Sequence, residues 1–366
     1  MNQTTKYNFD EIVTRRGSHC YKWDLPKEDD VLPMWIADMD FKAAPAIRQA
    51  LQRRLDHGVF GYTLVPQSYY DAVISWFDRR HDWKIEQQWI IYTIGVVPAV
   101  TCAIKAIAQP GENVLVQTPV YYCFFTCIKN SGCQILENPL LRKDDSYIID
   151  FDDFEQKCAD AKTTVFLLCN PHNPAGRVWT KDELARMNEI CMRHGVTVIA
   201  DEIHCEFAFP GYAYTPYAMV AEDERYCICT SPSKAFNIAG LQCANVYCPD
   251  AKAEMRIRMA LDKNETGNLN AFAVYTLMAA YNESEEWIDE LMELVNGNWC
   301  YVRTFIEERR LPLVDTKMEG TYLAWVKLPE GTKSEAFCQR LQEEQNVLFN
   351  ISRSEERFSR NAETDI

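Results

Sequence analysis

The chain has 366 residues, 47% of them hydrophobic, which is enough for a sizeable core and exceeds one ordinary domain. Its net charge of −15 argues against a nucleic-acid surface, which needs clustered Lys and Arg. No apolar run reaches the roughly 18 residues of a membrane span, and the opening MNQTTKYNFDEIVTRRGSHC carries no secretory segment, so a cytoplasmic protein with reduced thiols is expected.

The 15 cysteines lie mostly in apolar contexts such as FLLC, YCIC and YYCFF, where they read as small hydrophobes. Cys227 and Cys229 are too close to bridge, and Cys123 with Cys127 lacks a second ligand pair, so no metal site is expected.

In chain order, the first fifty or so residues read as part of a smaller domain. Gly95, followed by Val96, Val97 and Pro98, predicts a loop entering a helix, with Pro98 in its first turn. Asn113–Gln117 predicts a buried strand that runs into Thr118-Pro119-Val120-Tyr121-Tyr122. Thr164–Cys169 predicts another, running into Asn170-Pro171-His172-Asn173-Pro174-Ala175-Gly176. Thr180-Lys181-Asp182-Glu183 is a capping box opening an amphipathic helix, and His194-Gly195 closes it. The strand 196–200 runs into Asp201-Glu202-Ile203-His204, and Tyr226–Cys229 runs into Thr230-Ser231-Pro232-Ser233-Lys234. A further strand covers Asn245–Tyr247. Beyond about Tyr281 the character changes to a long acidic helix, after which Gly320–Lys327 alternates like an antiparallel strand.

Helices alternating with buried strands predict an α/β fold, a mostly parallel sheet flanked by helices. Residues 51–281 read as the large domain, and residues 1–50 with 282–366 as a smaller α+β domain. Ligands in such sheets bind beyond the carboxyl ends of the strands, where these polar stretches fall. Singly, each stretch is ordinary. A strand-terminal Asp caps helices or faces water, and Ser-Pro-Ser-Lys is a turn with a surface lysine. Their joint occurrence, in order, at successive strand ends is not ordinary.

That set matches what pyridoxal 5'-phosphate (PLP) asks of a protein: an amine for its aldehyde, an anion for its ring nitrogen, and hydroxyls or helix N-terminal amides for its phosphate. Lys234 supplies the amine and Asp201 the anion. Ser231 and Ser233, with the amides of Gly95, Val96 and Val97, suit the phosphate.

The chain resembles fold-type-I PLP enzymes of the class I/II aminotransferase superfamily, and more narrowly the MalY/PatB-like cystathionine β-lyase (C–S lyase) group. The residues that carry the likeness are 33–41 (PMWIADMDF), Phe60-Gly61-Tyr62-Thr63, Gly95 to Pro98, Asn173 to Gly176, Asp201 to His204, and Ser231 to Gly240. The resemblance implies the PLP-dependent transferase fold and cleavage of cystathionine- or cysteine-type thioethers to a thiol, pyruvate and ammonia. It implies that Lys234 holds the cofactor and moves the substrate α-proton, and that Asp201 pairs with the ring nitrogen. Asn173 and His204 are implied at the ring hydroxyl edge, and Tyr121, rather than Tyr122, against the ring face. Gly95, Val96, Val97, Ser231 and Ser233 are implied around the phosphate. Tyr62 is implied to come from the neighbouring subunit of a homodimer.

Two other readings remain at this stage: a class I/II aminotransferase, or a PLP-fold regulatory protein with weak catalysis. The resemblance also implies a carboxylate-gripping arginine in an Arg-x-Asn motif near the C-terminus. The sequence instead reads NVLFNISRSEERFSRNAETDI, in which Arg353, Arg357 and Arg360 are the substitutes on offer, and a truncated or frame-shifted product is expected.

Overall fold

The computed structural model of the chain describes residues 6–26 and 30–349. The expectations about Arg353, Arg357, Arg360 and the Phe358–Asn361 stretch lie outside the described residues.

Seven strands build the main sheet: β1 (Ile90–Thr93), β2 (Asn113–Thr118), β3 (Gln134–Pro139), β4 (Thr163–Cys169), β5 (Thr197–Asp201), β6 (Tyr226–Thr230) and β7 (Ala244–Tyr247). Their order is β1-β7-β6-β5-β4-β2-β3; β7 runs antiparallel to both neighbours and the other pairings are parallel. The apolar runs of the central strands have a direct cause. Val114 and Val116 enter the core on one face of the sheet and Leu115 on the other; Val165 and Leu167 oppose Phe166 and Leu168 in the same way.

Eleven helices are used below: α1 (Pro45–His57), α2 (Gln67–His81), α3 (Val96–Ile107), α4 (Cys123–Asn130), α5 (Phe151–Cys158), α6 (Lys181–His194), α7 (Pro232–Ala235), α8 (Ala251–Lys263), α9 (Ala273–Glu283), α10 (Glu285–Glu308) and α11 (Ser334–Gln345). One face of the sheet is covered by α3, α4 and α8, the other by α1, α2, α6, α9 and the first turns of α10. The predicted punctuation of α6 is present. Thr180 and Glu183 satisfy each other's backbone N–H groups, and Gly195 ends the helix in the left-handed region at φ 73°.

The five predicted strands fall within a residue or so of their observed ends. The sequence reading missed β1, four residues long, and β3, a half-buried edge strand. It also overextended one strand. Of Gly320–Lys327 only Val326–Lys327 pairs, antiparallel to Val314–Asp315. The part before it is docked onto the loops that follow β4 and β5 by backbone bonds: Glu319 N–H to Gly176 O (2.8 Å), Gly320 N–H to Gly176 O (3.1 Å) and Thr321 N–H to Phe207 O (2.8 Å). Gly320 makes this approach possible, because a Cβ there would sit 2.2 Å from the Phe207 carbonyl oxygen and 2.7 Å from Val178 Cγ2. Tertiary docking has overridden local alternation.

Near the two ends of the described chain, Leu32–Met34 pairs in parallel with Val347–Phe349, which follows α11. The cysteines are unpaired and most are buried, as small core residues would be. No helix among the described residues is long and apolar enough to cross a membrane.

Candidate active site

Because β2, β4, β5 and β6 are parallel, their carboxyl ends lie along one edge of the sheet, and the polar stretches gather there. Asp201, the last residue of β5, is flanked in register by Cys169 of β4 and Cys229 of β6. Lys234 lies in the single turn of α7, just beyond β6. Each charge acts on the other group, so lysine and carboxylate share one site.

Asp201 is only 4% exposed, and among the described residues its carboxylate accepts one hydrogen bond, from the Ile203 N–H (3.1 Å). Among the described residues no cation comes within ion-pair distance of it. Burial therefore pushes its carboxyl up to about 7, with Lys234 pulling only partly back. His204 is 3% exposed; burial and the Lys234 charge hold it down to about 3, so its imidazole is neutral, and among the described residues Nδ1 has no hydrogen-bond partner. Lys234 is lowered by burial, against the opposing charges of Asp38 and Asp201. An amine with a depressed pKa beside a buried acid is suited to nucleophilic and proton-transfer work.

Tyr121 is half-buried and feels the Asp201 charge, whereas Tyr122 is 46% exposed, so the inner of the two rings is Tyr121. Asn173 stands half-buried in the loop after β4, with a side-chain amide that makes no hydrogen bond among the described residues. Gly95 lies in extended backbone immediately before α3, and the first-turn amides of Val96 and Val97 have no intrahelical acceptor. Ser233 is half-buried, with a hydroxyl unpaired among the described residues.

Ser231 is placed differently from the sequence reading. Its hydroxyl donates to Cys243 O (2.5 Å) and accepts from Ser233 N–H (3.0 Å), which caps α7 and ties it to the start of β7. Tyr62 does not join the cluster at all within one chain; it is fully exposed.

Four contributors escaped the sequence reading. The Ala37 carbonyl accepts from Lys234 Nζ (2.7 Å) and from the Tyr322 hydroxyl (3.0 Å). The Asn237 side chain holds residues 39–41 by three hydrogen bonds. Cys123, half-buried at the start of α4, interacts with both Asp201 and Lys234. Ala37 and Asn237 sit in the 33–41 stretch and the tail of the lysine motif, which stand out in the sequence as patterns without a role. Tyr322 and Cys123 carry no local signal.

The donor set fits pyridoxal phosphate: a shielded amine, a buried carboxylate with no cation of its own, an unpaired imidazole nitrogen, and free amides with a free hydroxyl at a helix start. The sequence profile of the class I and II aminotransferases matches residues 29–354. The chain is 42% identical to the cystathionine beta-lyase PatB of Bacillus subtilis over 339 residues, 91% of this chain and 88% of that one. It superposes on the crystal structure of cystalysin from Treponema denticola, which contains a pyridoxal 5'-phosphate cofactor, with a TM-score of 0.91 and 33% identity, over 94% of this chain and 90% of that one. It also superposes on the PLP-bound C–S lyase from Staphylococcus hominis, with a TM-score of 0.88 and 29% identity, over 94% and 89%.

Proposed function

The chain belongs to the class I and II aminotransferase family, and from that premise we propose that it is a PLP-dependent carbon–sulfur β-lyase, cleaving cystathionine- and cysteine-type thioethers to a thiol, pyruvate and ammonia. The observation that carries the reading is the buried, cation-free carboxylate of Asp201 sharing a site with the amine of Lys234, in a chain 42% identical to a cystathionine beta-lyase.

When bound, pyridoxal phosphate supplies an electron sink for the negative charge that develops at the substrate Cα. The protein's residues do the rest. Lys234 would hold the aldehyde, and its amine, when free, would take the substrate α-proton. Asp201 keeps a proton on the ring nitrogen by offering it a fixed negative charge away from water. Asn173 and His204 orient the ring from its hydroxyl edge, His204 as a neutral imidazole. Tyr121 packs against the ring face. The Gly95, Val96 and Val97 amides and the Ser233 hydroxyl bind the phosphate, on a turn shaped by Ser231.

The same reading includes a homodimer in which Tyr62 reaches the neighbouring subunit's site. It is supported by a run of exposed apolar side chains, Val59, Phe60, Tyr62 and Leu64, of a kind that monomers rarely leave in water. A cytoplasmic location is supported by the unpaired thiols. The division into a large and a small domain is supported by the pairing of Leu32–Met34 with Val347–Phe349. Its first boundary falls better before Pro45, because Ile47 and Ala50 of α1 are buried in the main core.

The test is release of pyruvate from cystathionine with no 2-oxo acid present. Strict dependence on an added 2-oxo acid acceptor would make the protein an aminotransferase instead.

A further inference from the structure

The amine of Lys234 is held from the far side by a segment distant in sequence. Residues 37–41 cross over α7, and Ala37 O accepts a hydrogen bond from Lys234 Nζ at 2.7 Å. The segment is fixed from two directions. Asn237, three residues past the lysine and in the left-handed region at φ 55°, donates from Nδ2 to Met39 O (2.9 Å) and Phe41 O (2.8 Å) and accepts from Met39 N–H at Oδ1 (3.0 Å). Asp38 and Asp40 are paired with Arg15 and Lys22, which pin the same segment to the chain's start. The remaining tie reaches Ala37 itself: the Tyr322 hydroxyl donates to that same carbonyl at 3.0 Å. The Tyr322 ring is wedged against Phe207 (4.7 Å between ring centres) and His204 (5.8 Å), so the hydroxyl is aimed by packing.

We propose that Tyr322 is a positioning residue for Lys234, acting through the Ala37 carbonyl to hold the displaced lysine amine both aimed and neutral. The proposal deepens the lyase reading and rests on it.

The physical reason is the capacity of one carbonyl oxygen. It has two lone pairs, and a donor on one weakens what the other offers. An ammonium gains more than a neutral amine from a strong acceptor, because charge-assisted bonds are the stronger ones. By occupying one lone pair, Tyr322 leaves Lys234 enough of a bond to be located and less than an ammonium would require. The neutral amine keeps its own lone pair for the substrate α-proton. Asp38, Asp201, Cys123 and His204 also face this amine, and a variant that keeps the Tyr322 ring against His204 leaves all four in place.

The test is Tyr322→Phe, which keeps the ring packing and removes only the hydroxyl, and it has two readouts. In cofactor-free protein, reductive methylation of Lys234 at neutral pH, followed by mass spectrometry of its peptide, is expected to slow about threefold as the amine gains proton affinity. In the holoenzyme, kcat for β-elimination is expected to fall about tenfold with KM within twofold, a loss of about 1.4 kcal/mol in the transition state alone. The α-deuterium isotope effect should rise as proton transfer becomes slower. Unchanged methylation and an unchanged isotope effect overturn the proposal while the lyase reading stands. If wild-type protein forms no borohydride-stable cofactor adduct at Lys234, the lyase reading fails and takes the proposal with it. Should Tyr322→Phe unfold, 3-fluorotyrosine at position 322 keeps the ring against Phe207 and His204 and strengthens the donor, so methylation of Lys234 is expected to quicken; unchanged methylation overturns the proposal.

Discussion

Asp201 and Glu206 lie five residues apart on one segment leaving β5, and both are carboxylates almost wholly removed from water. Glu206 is surrounded by partners from α2. Trp76 Nε1 donates to its Oε1 at 2.8 Å, His81 Nε2 lies 2.8 Å from the same oxygen, and the Arg80 guanidinium is 3.3 Å from Oε2. Burial pushes Glu206 up, but these partners outweigh it, and the net shift is downward. Asp201 has the same burial and one backbone hydrogen bond, and it rises to about 7. His81, Cys205 and Glu206 also gather metal-type donor atoms, yet Arg80 already provides the positive charge there. The comparison separates two uses of a buried acid. A carboxylate whose cation comes from the protein joins elements together; one left without a cation is shaped for a charge that arrives from outside.

The contrast can be broken most severely at Lys234. Lys234→Ala should lower turnover by roughly 10⁴-fold, and its peptide should yield no borohydride-trapped cofactor by mass spectrometry. A trapped adduct elsewhere in the folded variant would move the amine assignment to another lysine.

Next in size is a crossed pair of neutralising substitutions. Glu206→Gln should lose about 3 kcal/mol of stability to urea, because Arg80 and its neighbours keep a geometry built for an anion. Turnover per folded molecule should hardly change. Asp201→Asn should do the reverse. At pH 8 the cofactor-free protein should gain stability on the order of 3 kcal/mol by shedding an unpaired buried charge, while turnover falls about a hundredfold or more. If both variants destabilise alike, Asp201 is a structural acid and the distinction is lost.

The smallest effect is a slope. Burial raises Asp201 and Glu202 to about 7 each, so the folded chain keeps protons that the unfolded chain releases near pH 4. The contribution of these two groups to cofactor-free stability is therefore greatest below about pH 4, falls as the pH rises to about 7 and then levels, by about 1.4 kcal/mol per pH unit for each group. Thermal melts across that range should show the fall, and Asp201→Asn should leave only the Glu202 share. Saturating pyridoxal phosphate should have the same flattening effect, since its ring nitrogen gives Asp201 a cation.

Much of this was legible beforehand, and for identifiable reasons. The central strands announced themselves because both of their faces are buried and must be apolar, as Val114 to Val116 and Val165 to Cys169 are. The ends of α6 were readable because Thr180, Glu183 and Gly195 satisfy backbone groups locally. Asp201 and Lys234 stood out because each follows such a strand with a polar group where an ordinary chain would turn. Ser231 was harder. Whether a hydroxyl faces a ligand or caps its own helix depends on Cys243, twelve residues away, and no local pattern reports that.

By itself the sequence determined the five central strands, the helices beside them and the edge at which polar residues collect, since all three follow from periodicity and from groups satisfied within a few residues. The tertiary structure alone decided which distant groups complete the site. Ala37 accepts from the Lys234 amine, Tyr322 donates to that same carbonyl and Asn237 ties down residues 39–41 beside it, while Gly320 lets its strand dock rather than pair. Contacts of that kind depend on directions in space that side-chain chemistry along the chain does not encode one residue at a time.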